Sequence, residues 1–354
     1  AGQFDMQIAV RSFDAPAQRR PITITLVADT SGSMGGVPIK RERAVVRAIA
    51  ESLAQGDIVN MVTWSTSNAV VLAGHEVSGP NDAKLLEAAA ALESGGGTDL
   101  NGGLKAGYQL ANQYYGELRL NRIVLISDGG ANVGVTDADL IGINAEDGDQ
   151  EGIYMVGVGT GPPGGYSDQL MDAVTDAGRG AYVYVDSEEE ARHMFTERFD
   201  EVMEVAARAV QVKLIIPWYF QMYKFYGEEY SENPEEVEPQ HLAPSDAMVF
   251  HQVLRACDPA VVVDSDKVKV DVRWQQPITH SEHETSFVTT VGDLLAGDAD
   301  HLLKGKAIVA YAEALRSGQQ EDLHAAHQQV VAAGGTSDAE LAEIAYLITK
   351  HPSY

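Results

Sequence analysis

Hydrophobic residues in the first part of the chain occur in short runs separated by amphipathic segments. Six runs rich in β-branched residues predict strands, at 22–29, 57–64, 69–74, 122–128, 152–159 and 180–185. Several are apolar almost throughout, which is typical of strands buried on both faces of a parallel sheet. The run at 69–74 follows its predecessor too closely for a parallel crossover, so we expect an antiparallel edge strand there.

The segments between these runs have helical periodicity. In 39–55, Val45, Ile49 and Leu53 recur every four residues and form one apolar stripe. Similar helical segments are 81–93, 100–115, 137–146, 166–178 and 188–206. The alternation of strands and helices predicts an α/β domain with a doubly wound, mainly parallel sheet.

The pattern changes after about residue 207. Strand-like segments occur at 209–217, 246–256, 260–264, 267–274 and 284–291, and no long helix separates them. They predict a β-sandwich or a small antiparallel sheet, with which the opening stretch 4–13 is expected to pair. The Pro- and Glu-rich stretch 231–244 is expected to be an exposed loop, and the aromatic stretch 217–230 to lie mainly in the core. Three helices are predicted at 299–317, 319–333 and 337–350.

These patterns divide the chain into four predicted regions. They are an N-terminal strand region (1–19), an α/β domain (20–206), a β-rich domain (207–292) and a C-terminal helical region (293–354). Cys257 is the only cysteine, which excludes an internal disulfide and a thiolate zinc site, and we expect it to be buried.

The charge balance narrows the classes of partner. Twenty-five Lys and Arg residues against 52 Asp and Glu residues give a formal net charge of −27, which repels nucleic acids and anionic lipid surfaces. No apolar run is long enough to span a membrane, and the opening residues lack the pattern of a signal peptide. We therefore expect a soluble chain, from which a leader could have been removed.

Polar residues that can bind a cation follow the ends of two predicted strands. Asp29, Ser31 and Ser33 lie in the stretch ADTSGSMGG (28–36), and Asp128 ends another strand. Thr98 lies in a glycine-rich loop directly before a helix. Ligands of a doubly wound sheet bind beyond the carboxyl ends of its strands, so these side chains are expected to converge. Their hard oxygen donors favour Mg²⁺, with Mn²⁺ or Ca²⁺ as alternatives.

These three elements, in this order, resemble the metal-ion-dependent adhesion site of von Willebrand factor type A domains, over roughly residues 20–206. The resemblance implies that Ser31 and Ser33 bind the ion directly, Thr98 directly or through water, and Asp29 and Asp128 largely through water. The opening sequence and the strand-rich tail also resemble bacterial extracytoplasmic proteins of this superfamily, which favours a periplasmic or cell-surface location and leaves a cytoplasmic one open.

A cation held mainly by neutral hydroxyls keeps most of its charge and attracts an anionic oxygen from outside. We therefore expect a non-enzymatic protein-binding or adhesion module, in which an acidic side chain of a protein partner completes the coordination. By the same resemblance, ligand binding is expected to shift the last helix of the domain, 188–206.

Two other functions are considered. One is a subunit of an intracellular complex that works with an ATPase of the chelatase type. The other is a Mg²⁺-dependent phosphotransferase or hydrolase using Asp29, although a second aspartate is missing where Ser31 stands. Serine-hydrolase and P-loop motifs are absent, and the histidine pairs in 280–284 and 324–327 are expected to be solvated rather than zinc-binding.

Overall fold

The structure, a computed structural model, describes residues 2–14, 19–129, 152–162, 168–227, 229–237, 239–335 and 337–354. The predicted helix 137–146 lies outside these residues. One sheet is formed by six strands: β2 (Ile22–Asp29), β3 (Ile58–Trp64), β4 (Asn68–Glu76), β5 (Leu120–Ser127), β6 (Tyr154–Gly159) and β7 (Tyr182–Tyr184). Their spatial order is β4-β3-β2-β5-β6-β7.

All neighbouring strands in this sheet are parallel except β3 and β4, which pair antiparallel at one edge. Every residue of β2, β5 and β6 is buried, because helices cover both faces of the sheet. The predicted fold class, a doubly wound and mainly parallel α/β sheet with a β-rich region and C-terminal helices, is confirmed.

The two faces of the sheet are covered by different helices, which are α1 (Val37–Ser52), α2 (Ala83–Ala91), α3 (Leu100–Gln113), α4 (Asp168–Ala177), α5 (Glu188–Arg192) and α6 (Phe199–Met203). Ile24 and Leu26 of β2 belong to the core cluster that contains Val45 and Ile49 of α1. Val27 belongs to the opposite cluster, with Tyr108 of α3. Alternate residues of one strand therefore anchor both helical layers.

The segment 188–206 is not the continuous helix that its periodicity predicts. Residues His193–Glu197 form a π-helical turn between α5 and α6. The Ser52 hydroxyl donates a hydrogen bond to the backbone carbonyl of Phe195 at 2.8 Å, and the Phe195 ring is fully buried. This contact with α1, which is distant in the sequence, holds the π-helical turn, which is wider than a turn of α-helix.

The β-rich region is a sandwich of two antiparallel sheets. Their strands are β1 (Gln3–Arg11), β8 (Ala207–Ile215), β9 (Phe220–Tyr226), β10 (Gln240–Leu242), β11 (Ala247–Ala256), β12 (Lys267–Gln275) and β13 (Glu282–Thr290). One sheet has the order β1-β11-β9 and the other β10-β8-β12-β13. Phe220, Leu254 and Val268 from both sheets share one core. The predicted loop 231–244 thus contributes a short strand, because β10 pairs with β8.

Two other predictions for this region are wrong. The predicted strand 260–264 begins as a 3-10 turn, Pro259–Val261, which the Asp258 side chain caps by accepting from Ala260 N–H at 2.9 Å. Cys257 is exposed, because it follows the last residue of β11 directly, where the chain leaves the sheet. The aromatic stretch 217–230 is divided between core and surface, since Tyr219 is buried whereas Trp218 is 82% exposed.

The C-terminal helices are α7 (Val291–Ala296), α8 (Asp300–Ser317), α9 (Gln320–Ala332) and α10 (Ala339–Lys350). Leu323, Leu341 and Ile348 lie in the core that α8, α9 and α10 share. Lys306 of α8 forms an ion pair of 2.6 Å with Asp5 of β1, which fastens the helices to the sandwich. Among the described helices, none combines the length and apolar character needed to cross a membrane.

Close contact between α3 and the sheet depends on Gly107. A Cβ atom at this position would lie 2.5 Å from Cγ2 of Val27. We expect Gly107→Ala to lower the free energy of unfolding by about 1–3 kcal/mol, because overpacking outweighs the gain of about 1 kcal/mol in helix propensity. Chemical denaturation measures this difference.

The matched control is Gln109→Ala, an exposed position on the same helix. Its free energy of unfolding should change by less than about 0.5 kcal/mol. Equal stability of the two variants would contradict the close contact.

Candidate functional site

The candidate site lies where the winding of the parallel sheet changes direction. β2 pairs with β3 on one side and with β5 on the other. In the β2–β5 pair, Ala28 lies opposite Ile126. Asp29 is the last residue of β2, and Asp128 comes directly after β5. Both carboxylates therefore emerge at the same edge of the sheet, where ligands of doubly wound folds bind.

The loop after β2 turns back towards Asp128. The Ser31 backbone N–H donates to Oδ1 of Asp29 at 2.8 Å. The Ser31 and Ser33 hydroxyls lie 3.0 Å apart, and Ser33 Oγ donates to Oδ1 of Asp128 at 3.2 Å. Gly36, with φ of +87°, then leads the chain into α1. Hydrogen bonds thus connect four of the five predicted ligands.

The loop that carries Thr98 reaches the site through its backbone. Gly95 N–H donates to the Thr30 carbonyl at 2.8 Å, and Gly32 N–H donates to the Gly96 carbonyl at 3.2 Å. Thr98 is half-buried in this loop. Asp99 accepts a hydrogen bond of 2.9 Å from Gly102 N–H as the N-cap of α3, which gives it a structural role.

Two residues at the site were missed by sequence reasoning. The Ser127 hydroxyl donates to Oδ2 of Asp29 at 2.7 Å. Glu42 is fully buried on α1, close enough to Asp29 for the charge and the backbone of that residue to act on its carboxyl group. Its position, three residues after Ile39 and three before Val45, places it on the buried face of α1. An acidic residue on an apolar stripe is the signal by which the sequence could have indicated Glu42.

Buried carboxyl groups lie close together at the site, so negative charge on them is costly without compensation. Burial raises the pKa of Asp29 from 3.8 to about 6, although hydrogen bonds from Ser31 and Ser127 oppose this, and the charge of Asp128 raises it further. Burial also raises the pKa of Glu42 well above its ordinary value, and the charges of Asp29 and Asp128 add to this effect. A divalent cation would relieve both the repulsion and the loss of hydration, so these residues fit such an ion.

The donor chemistry limits which metal ions fit. Among the described residues, no group of three or more His, Cys, Asp or Glu side chains is placed to hold a metal ion. The predicted solvated histidines of 280–284 and 324–327 therefore form no such cluster with described residues. A cation at the sheet edge would depend on the serine hydroxyls as well as on carboxylates, which favours Mg²⁺, Mn²⁺ or Ca²⁺ over zinc.

Comparison with known proteins identifies the α/β domain. Residues 24–131 match the family model of the von Willebrand factor type A domain. A solved structure, the von Willebrand factor type A protein from Catenulispora acidiphila, superposes with a TM-score of 0.58 at 15% sequence identity, covering 98% of this chain and 89% of that one. At that identity the likeness establishes the fold alone.

Two bacterial proteins are similar in sequence. The uncharacterized protein YfbK of Escherichia coli (strain K12) is 22% identical over 89% of this chain and 58% of its own length. The uncharacterized protein sll0103 of Synechocystis is 29% identical over 57% of this chain and 47% of its own length. The chain thus spans about half the length of these relatives. On the combined ground of the family match and the sheet topology, the protein contains a von Willebrand factor type A domain.

Proposed function

We propose that the protein is a non-enzymatic binding or adhesion module, in which a divalent cation at the carboxyl edge of the sheet captures an acidic side chain of a partner protein. The observation that carries this proposal is the hydrogen-bonded group formed by Asp29, Ser31, Ser33 and Asp128. Mg²⁺ is the preferred ion, and Mn²⁺ and Ca²⁺ have the same preference for hard oxygen donors.

In this proposal, Ser31, Ser33 and Thr98 would supply neutral oxygen ligands, and Asp29 and Asp128 would supply the negative charge. Ser33 is exposed whereas Asp29 and Ser31 are fully buried, so the site is open on the Ser33 side. When bound, the cation would supply positive charge and a coordination position for an external oxygen. Ser127 and Glu42 would support the site from the interior of the domain. Ser127 fixes the orientation of the Asp29 carboxylate through its hydrogen bond.

The charge of the protein explains why a cation would be needed. With a formal net charge of −27, the chain repels an acidic partner at distances up to about 10 Å in moderate salt. A bound cation would provide a local positive charge at the contact point. Binding of the partner would therefore be conditional on the metal, which makes the cation part of the interface.

The geometry of Asp29 favours binding over phosphoryl transfer. Its side chain is fully buried, Oδ1 accepts from Ser31 N–H, and Oδ2 accepts from the Ser127 hydroxyl. Both oxygens are thus engaged, whereas a nucleophilic carboxylate needs an accessible oxygen. An ATPase-linked complex remains the alternative with the same fold.

We propose a location at the cell surface or in the periplasm, because the opening sequence and the strand-rich tail resemble bacterial extracytoplasmic proteins, and a cytoplasmic location is left open.

Replacement of Asp128 by alanine tests the cation site. We expect Asp128→Ala to weaken Mg²⁺ binding by about tenfold or more, because one of the two carboxylates at the sheet edge is lost. Isothermal titration calorimetry measures the affinity. Ser67→Ala, an exposed serine in the turn between β3 and β4, is the matched control and should bind Mg²⁺ like the wild type. Undiminished binding to Asp128→Ala would refute this ligand set.

The raised pKa of Asp29 predicts a pH dependence. Since this pKa is about 6 without a cation, protons compete for the carboxylate at pH 5 and not at pH 7.5. We expect Mg²⁺ affinity to be about tenfold lower at pH 5 than at pH 7.5. In Asp29→Asn the overall affinity should be lower and the pH dependence flatter. A wild-type affinity that stays constant between these pH values would count against cation binding by Asp29.

Capture of defined peptides tests the partner chemistry. Immobilised peptides that present one exposed Asp or Glu should retain the protein in Mg²⁺ and release it in chelator, because the carboxylate would complete the coordination. The same peptides with Asn or Gln should retain it at least about tenfold less.

Equal retention on both peptide sets, or retention that survives the chelator, would rule out carboxylate recognition through a metal. Phosphoryl transfer from ATP that is lost in Asp29→Asn would instead support the phosphotransferase.

A further inference from the structure

A cavity of about 860 Å³ lies between the α/β domain and the β-sandwich. Arg122 at the start of β5 and His241 of β10 are among its lining residues. Asp128 directly follows β5 and lies six residue steps after Arg122, which places the cavity about 20 Å from the candidate cation site. This cavity is therefore separate from the carboxyl edge of the sheet.

Buried arginine side chains form part of its wall. Arg122 is 2% exposed, and its guanidinium lies over the Tyr154 ring with 4.9 Å to the ring centroid. Arg208 is 9% exposed and faces the same ring at 6.0 Å. Arg179 also lines the cavity. Several guanidinium groups thus gather in one place on a protein whose formal net charge is −27.

Two hydrogen-bond donors in this wall are not satisfied. The Nη1 group of Arg208 bonds to Nε2 of His280, but its buried Nε has no hydrogen-bond partner. His241 accepts from Ala209 N–H through Nδ1 at 3.3 Å, so a neutral His241 carries its proton on Nε2. This buried Nε2 also lacks a partner. Burial lowers the pKa of His241 to about 4 against the opposing effect of a backbone hydrogen bond with Gln240, and the charges of Arg208, Arg179 and Arg122 lower it further, so the ring is neutral at pH 7.

Two acidic residues of the wall form hydrogen bonds to arginines outside the cavity. Glu204 accepts from Arg20 at 3.4 Å, and Glu201 accepts from Arg198 at 2.6 Å, and neither of these arginines lines the cavity. Glu229 and Asp246 line it from exposed positions. Oε2 of Glu204 is buried without a hydrogen-bond partner.

We propose that this cavity binds a small organic anion that carries a carboxylate or phosphate group together with a hydroxyl group. The anionic oxygens accept hydrogen bonds from Nε of Arg208 and Nε2 of His241, and the neighbouring guanidiniums of Arg122 and Arg179 add positive charge. The hydroxyl group donates to Oε2 of Glu204. Binding would satisfy polar atoms that are otherwise buried without a hydrogen-bond partner.

Calorimetric titration with citrate and with glycerol 3-phosphate tests this proposal and distinguishes the two anionic groups. We expect the full chain to bind at least one of them with a Kd below about 1 mM. Arg208→Gln removes a positive charge and His241→Phe removes the N–H donor at the anion, so each should weaken binding at least about tenfold. The control Arg273→Gln, an exposed arginine on β12, should bind like the wild type.

Circular dichroism verifies that each variant is folded, and His241→Phe keeps the test decisive if Arg208→Gln does not fold. No saturable binding of either anion by the wild type up to about 10 mM, or equal affinity in the folded variants and the control, would overturn the proposal. Each titration is carried out with and without Mg²⁺. The cavity does not depend on the cation, so failure here leaves the proposed function intact, and failure of Mg²⁺ binding leaves this site intact.

Discussion

Burial of negative charge where β2 and β5 end side by side is the constraint on which the candidate site depends. Asp29, Asp128 and Glu42 are all buried at this point, and burial raises the pKa of both Asp29 and Glu42. Like charges in a poorly hydrated environment are costly unless hydrogen bonds or a cation compensate for them. The Ser31 backbone N–H and the Ser127 hydroxyl both donate hydrogen bonds to the Asp29 carboxylate and supply part of this compensation. The remaining charge is what makes the edge of the sheet suited to a cation.

The rest of the molecule holds this arrangement in place. The strands are buried on both faces, and a register shift would disrupt their packing against both helical layers, so the ends of β2 and β5 stay adjacent. Hydrogen bonds between the backbones of Thr30, Gly32, Gly95 and Gly96 then fix the two loops against each other. The opposite end of the sheet has the reverse electrostatic character, with Arg122 and Arg208 buried beside Tyr154. The fold thus separates a carboxylate-rich end from an arginine-rich end.

Sequence patterns predicted the central sheet well, because runs such as 22–29 are apolar enough to need burial on both faces. They were wrong where distant contacts decide local structure. The periodicity of 188–206 indicated one helix, yet contact of Ser52 with the Phe195 carbonyl accompanies a π-helical turn. The apolar run 260–264 indicated a strand, but Pro259 and the cap by Asp258 produce a 3-10 turn. Cys257 is exposed because its position at the end of β11 outweighs its apolar character.

The sequence by itself determined the donor chemistry of the candidate site, because the order of strands and the residues that follow them specify which oxygens meet at the sheet edge. Asp29, Ser31, Ser33 and Asp128 could be named for this reason. Only the tertiary structure placed Glu42 beneath them and gathered Arg122, Arg208 and His241 around one cavity. These residues come from elements that are distant in the chain, and no local pattern encodes their proximity. Burial and the loss of hydration, which shift their pKa values and leave donors unsatisfied, arise from packing alone.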